Sequence, residues 1–274
     1  MDRLRKPHGK GTIMAETEEL LKKRLIESAN KAYHNNCYTF TSFLGELEQD
    51  LFFQIEKEIS FIPYLLFGGA TSSERRMIRF GSEELFGYEE AFPIACILVR
   101  PLNQKFADQF THRDFLGAVM NLGIERSEVG DIMIMNNEGY LFVTENMSDY
   151  IMMHLDQVKH THVTCSRTDV PRELMHASLS EICVTAASKR LDGIISKIYG
   201  LSRNTALTLF STKKVFVNGR QTENNSYQVK EQDTVSVRGY GKFQILALGG
   251  ITKKGKLQIK AGIYGNTTGK GEKL

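Results

Sequence analysis

Residues 189–220 read KRLDGIISKIYGLSRNTALTLFSTKKVFVNGR. Leu191, Ile194, Ile195 and Ile198 recur at helical spacing and predict a helix that stops at Gly200. Ser202 is placed to cap a second helix carrying Ala206, Leu207, Leu209 and Phe210. Val215-Phe216-Val217 then reads as a strand, Asn218-Gly219 is a strong hairpin signal, and Val229 to Val237 supplies further strand. The cations avoid the apolar stripe. Lys189, Arg190 and Lys197 flank or ride on the first helix, with Arg190 and Lys197 on one face. Arg203 lies in the first turn of the second helix, beside exposed backbone N–H groups that attract anions. Lys213 and Lys214 add charge at the helix-to-strand turn, and Arg220 in the hairpin. A face of this kind neutralises phosphates, which gives affinity without reading base sequence.

Charge along the chain supports that reading. The 274 residues carry a net +3, but residues 182–274 hold 16 Lys and Arg against 5 Asp and Glu, a net +11, which leaves −8 for residues 1–181. An acidic front joined to a strongly basic final third points to a polyanionic partner for the final third. Four scattered cysteines (Cys37, Cys96, Cys165, Cys183), with no Cys-x-x-Cys pair, exclude a disulfide scaffold or zinc knuckle and favour reduced thiols in the cytoplasm. No uninterrupted apolar run approaches the roughly 18 residues that a membrane span requires.

Upstream, Ile94 to Val99 is a short apolar strand, and Phe115, Leu116, Val119 and Met120 mark a helix entered through Thr111 and ended near Gly123. Asp131–Met135 and Tyr140–Val143 read as strands joined by a turn over residues 136–139. Asp149–Val158 reads as a helix and His162–Cys165 as a last strand. The order βαββαβ is ferredoxin-like. The expected fold class is α+β, in six segments: a disordered extension (1–14), a mainly helical N-terminal unit (15–91), the ferredoxin-like middle domain (92–168), a linker (169–181), the basic domain (182–245) and a basic C-terminal extension (246–274). Within the N-terminal unit, helices are expected over Thr17–Tyr33 and from Thr41, as cap, through Phe52.

Arg190-Leu191-Asp192, Leu201-Ser202-Arg203-Asn204-Thr205-Ala206, Val215-Phe216-Val217-Asn218-Gly219 and Asp233-Thr234-Val235 resemble, in this order, the S-four (alpha-L) RNA-binding domain. The resemblance implies RNA contacts at Lys189, Arg190, Lys197, Ser202, Arg203 and Asn204, and at Thr205, Lys213, Lys214, Asn218 and Arg220. Two departures concern turns: Lys213-Lys214 and Gln232 stand where the family usually has glycine. His112–Ala118, Leu122–Arg126, Gly130-Asp131-Ile132, Phe67-Gly68-Gly69 with Glu74-Arg75, and Arg238–Phe243 are similar to the YlmH family. That resemblance implies a cytoplasmic RNA-binding protein; the scattered Cys and His lead us to expect no cofactor or metal, and no nucleophile or second base accompanies His112 to make a catalytic site. It would bind ribosomal RNA, tRNA or both on the large ribosomal subunit, in stalled-ribosome quality control. The competing readings are an RNA-modifying enzyme of pseudouridine synthase or methyltransferase type, and a cell-division scaffold.

Three further features have structural explanations that compete with functional ones. His112-Arg113-Asp114 pairs a base with a carboxylate, but at a helix start, where Asp114 serves as a cap. His160 and His162 lack a third metal ligand. Tyr140 and Phe142 alternate as the base-stacking aromatics of an RNA-binding sheet do, although core is the expected role.

Overall fold

A computed structural model describes residues 10–175, 179–253 and 255–264, with only the backbone of 10–15. The chain is α+β, and its contacts divide it at Pro171/Arg172 into two units.

Unit 1 begins with α1 (Lys10–Asn35), β1 (Thr39–Phe40), α2 (Glu46–Ile55), β2 (Tyr64–Phe67), β3 (Met77–Phe80) and α3 (Glu83–Phe86). The three strands pair antiparallel in the order β1-β3-β2. Leu25, Ala29 and Ala32 of α1 and Phe52 and Ile55 of α2 bury against Ile78 and Phe80. Helix α1 already runs from Lys10, so the expected extension over 1–14 is corrected for 10–14, and 1–9 lie outside the described residues. Thr41 is no cap: its hydroxyl donates to Ser42 O and accepts from Ile78 N–H. Helix α2 starts instead after Gly45, whose N–H donates to the Glu48 carboxylate.

The rest of unit 1 is β4 (Ile94–Pro101), α4 (His112–Asn121), β5 (Val129–Met135), β6 (Glu138–Thr144), α5 (Glu145–His154), β7 (Gln157–Val158) and β8 (Thr161–Arg167). The antiparallel order β5-β6-β4-β8-β7 is a ferredoxin-like sheet with one added edge ribbon. Phe115, Val119, Ile151 and Leu155 pack on the face formed by Ala95, Ile97, Val99, Leu141 and Val143. The turn between β5 and β6 is tighter than expected. Asn136 and Asn137 both take positive φ (52° and 62°), a two-residue turn, and Glu138 and Gly139 join the strand. Gly139 is needed there because a Cβ would lie 2.6 Å from the Phe115 ring. Helix α5 is corrected from Asp149–Val158 to Glu145–His154, since Leu155 turns extended to reach the core and β7 folds back on β8.

The face of this sheet opposite α4 and α5 is also closed over β4 and β6. Cys96 opposes Phe142 and Leu98 opposes Tyr140, and all four are buried. Burial pushes the Cys96 thiol up to about 12. Gly69, at φ +97°, lies so close to Phe142 that a Cβ would be 2.2 Å from the ring. The Asp131 carboxylate accepts N–H bonds from Glu74 and Arg75. The Arg75 guanidinium reaches the carbonyls of Phe43, Arg126 and Val129. The YlmH-like residue pairs therefore join the helical segment to the ferredoxin-like sheet.

Unit 2 holds α6 (Arg172–Met175), β9 (Leu179–Ala186), α7 (Leu191–Ile198), α8 (Arg203–Ser211), β10 (Val215–Val217), β11 (Arg220–Gln221), β12 (Thr234–Val237), β13 (Gly241–Ile251) and β14 (Leu257–Tyr264). One antiparallel sheet runs β11-β10-β12-β13-β14-β9. Its core combines Leu191, Ile194, Ile195, Ala206 and Phe210 with Val215, Val235, Phe243, Ile245, Ile259 and Ala261. Two expectations change here. Residues 179–181, read as linker, pair with β14 through Leu179↔Tyr264 and Glu181↔Gly262. Residues 246–264, read as an extension, form the two long strands that carry the core outward, while 265–274 lie outside the described residues.

Candidate RNA interface

Helix α7 begins after Arg190 and α8 after Ser202, whose hydroxyl accepts the Thr205 N–H at 3.1 Å and contacts the Thr205 hydroxyl at 2.7 Å. Ser202, Arg203, Asn204 and Thr205 are all exposed along this first turn, and Lys197 is exposed on α7. The Arg190 guanidinium grips Asp192 with two bonds, Nε to Oδ1 at 3.1 Å and a terminal nitrogen to Oδ2 at 2.8 Å. Asp192 is 2% exposed, and its Oδ1 also accepts the Gly193 N–H. Burial pushes its carboxyl up, but Arg190, the Gly193 N–H and the charge of Arg203 together hold it below the usual range. Arg190 is thus held against a buried carboxylate that also feels the charge of Arg203.

The N-terminus of α7 is not an open anion site. Leu191 N–H donates to Tyr227 O and Asp192 N–H to Asn225 O, so the loop over 225–227 occupies it. Arg203 has no carboxylate partner among the described residues. Asp233, which could have paired with it, instead accepts from Asn218 Nδ2, the Tyr227 hydroxyl and Lys230 N–H. The Asn218 carboxamide also accepts Thr234 N–H, so both ends of this side chain hold the hairpin. Asn218 (φ 53°) and Gly219 (φ 80°) form the tight turn, and exposed Arg220 follows.

Lys189, Lys213 and Lys214 are exposed, with Lys213 3.5 Å from Glu223 in a surface pair. Arg238 was not among the expected contacts. Its N–H donates to Lys214 O and its guanidinium lies 5.2 Å from the Phe216 ring centre, beside the same turn. A cation one residue past a strand is the signal that would have pointed to it.

Lys213 (φ 58°) and Gln232 (φ 70°) are both left-handed. These are the turns where the resemblance calls for glycine, and the conformation is kept despite the substitution. Gln232→Gly is expected to stabilise the protein by about 0.5–1 kcal/mol, because it removes the Cβ strain of that conformation. Thermal melts would register this as a rise of a few degrees.

In unit 1, Asp114 accepts the Thr111 N–H and hydroxyl and pairs with Lys159 at 2.9 Å, so it is a cap and not a partner for His112. Tyr140 and Phe142 are buried, so neither offers a stacking surface. Among the described residues, no group of three or more His, Cys, Asp or Glu could hold a metal.

Residues 88–172 match a family model described as "Putative RNA-binding domain in YlmH". Over 223 residues the chain is 29% identical to ribosome-associated protein quality control protein P2 of Bacillus subtilis, covering 80% of this chain and 84% of that one. Residues 88–172 are thus similar to the YlmH family. The cell division protein ylmH from Streptococcus pneumoniae aligns at 18% identity and a TM-score of 0.45, over 61% of this chain and 96% of that structure. A segment of 71 residues is 37% identical to small ribosomal subunit protein uS4 of Chromohalobacter salexigens, 26% of this chain and 34% of that protein. No helix among the described residues is long and apolar enough to cross a membrane.

Proposed function

We propose that this chain is a non-enzymatic RNA-binding protein that seats ribosomal RNA, tRNA or both on the large ribosomal subunit. The contact face is that of α7, α8 and the β10–β11 hairpin. The carrying observation is the two-bond grip of Arg190 on buried Asp192, with Lys189, Arg203, Lys213, Lys214 and Arg220 exposed on or beside the same elements. A pre-oriented guanidinium fork suits phosphate oxygens, since less freedom is lost on binding. The 29% identity to a ribosome-associated quality control protein supports a role in that process and, with it, a cytoplasmic location.

Co-sedimentation of the full chain with ribosomes across a salt series tests this. Affinity should fall with a log–log slope of roughly −3 to −6, as about four to six neutralised phosphates require. Crosslinks should fall in large-subunit RNA or tRNA. Turnover of a single modified nucleotide would favour an RNA-modifying enzyme, and binding without RNA crosslinks a protein scaffold.

A further inference from the structure

The matched RNA-binding domain cannot stack bases on Tyr140 or Phe142, because both are buried, yet it presents another aromatic. Phe106 is 77% exposed, in the short 3₁₀ turn Gln104–Phe106 that follows β4. Single exposed apolar side chains are ordinary on protein surfaces. Phe106 differs in how firmly its backbone is held. Leu102 N–H donates to His162 O, Asn103 Oδ1 accepts Lys105 N–H, and Gln104 Nε2 donates to Asn136 O. Farther along, Asn137 bonds Asp108 O and Phe110 N–H, and the Asp108 carboxylate takes His160 N–H and the Thr161 hydroxyl. Polar bonds from two hairpins thus fix a turn whose apex is an apolar ring.

The surroundings are cationic and polar. The Lys105 ammonium lies 5.5 Å from the Phe106 ring centre. Where β4 meets β8, Arg100 opposes Thr164, and with His162 they leave an exposed strip on the sheet face that is closed farther along.

We propose that Phe106 is a stacking platform for an unpaired RNA base, with Lys105 taking the adjoining phosphate. A rigid exposed ring beside an ammonium matches a nucleotide, which pairs a flat apolar base with an anion. Stacking of this kind tolerates any base. The proposal rests on the RNA-binding reading above and adds a second contact, in unit 1, for single-stranded RNA.

The chain contains no Trp, so Phe106→Trp introduces one fluorophore at the site. The full-length variant is titrated with a hairpin RNA bearing an unpaired tail, and with the same hairpin blunt-ended. Quenching by the tailed RNA alone is expected. Phe106→Ala should weaken binding of the tailed RNA roughly 5- to 100-fold, leaving the blunt hairpin and the melting temperature unchanged. Unchanged emission at saturating tailed RNA, or equal affinity of Phe106→Ala and the natural chain, would overturn the platform while leaving the unit 2 reading in place. Failure of the chain to bind either RNA would remove both.

Discussion

Arg203→Ala is expected to weaken ribosome binding roughly 10- to 100-fold and to leave the melting temperature nearly unchanged. The loss is that of one charge-assisted contact, and the salt slope should flatten by about 1. The fold should lose little, because Arg203 is exposed, ion-pairs with no carboxylate among the described residues and is the smallest of the influences on Asp192. Arg190→Ala should behave differently. It removes a similar contact and also leaves Asp192 buried with one N–H partner, so affinity and melting temperature should fall together. The pair also has a pH signature. A carboxyl held below its ordinary value stabilises the fold above the unfolded-state pKa, and that contribution disappears as pH falls through the lower folded value. The difference in stability between Arg190→Ala and the natural chain should therefore be full near neutrality and shrink below about pH 4. Equal melting losses for the two variants would refute the assignment of Arg203 to RNA and Arg190 to both roles.

Gly69→Ala should be strongly damaging to unit 1, at about 3 kcal/mol or more. Its left-handed φ is strained for alanine, and the methyl would enter the Phe142 ring. Phe142 cannot retreat, since it is fully buried and paired across the sheet with Cys96. Gly117→Ala is the matched control. It lies inside α4 with open space where a Cβ would go, so it should stabilise by about 0.5–1 kcal/mol. Denaturant unfolding of the two full-length variants would give shifts of opposite sign. A Gly69→Ala protein as stable as the natural one would mean that the seam gives way more easily than its packing indicates.

Local signals carried most of unit 2. The stripe Leu191–Ile198, the Ser202 cap and the Asn218-Gly219 turn each act within a few residues, and the structure places each where the spacing predicts. The end of the chain was harder to read. Abundant Gly and Lys after residue 245 suggest a tail, although Leu257, Ile259, Ala261 and Ile263 alternate as strand residues do. The site was legible in composition and, for the neighbouring Arg190 and Asp192, in pairing, but not for Asp233. The grip of Arg190 on Asp192 spans two residues, whereas the retention of Asn218 by Asp233 spans fifteen and follows from the folded hairpin. Unit 1 carried the least local information about its seam. Asp131 meets Glu74 fifty-seven residues away, so nothing around either residue announces the bond. The burial of Tyr140 and Phe142 likewise depends on partners outside their own strand.

That seam determines how unit 1 comes apart. Strands β4 and β6 contribute Ile97 and Leu141 to one core and Leu98 and Phe142 to the layer on the other side. Peeling away either layer bares apolar rows on strands that the opposite layer still needs, which is costly in water. Unit 1 therefore has no cheap plane of cleavage, and its helical segment and ferredoxin-like sheet are expected to melt as one cooperative body.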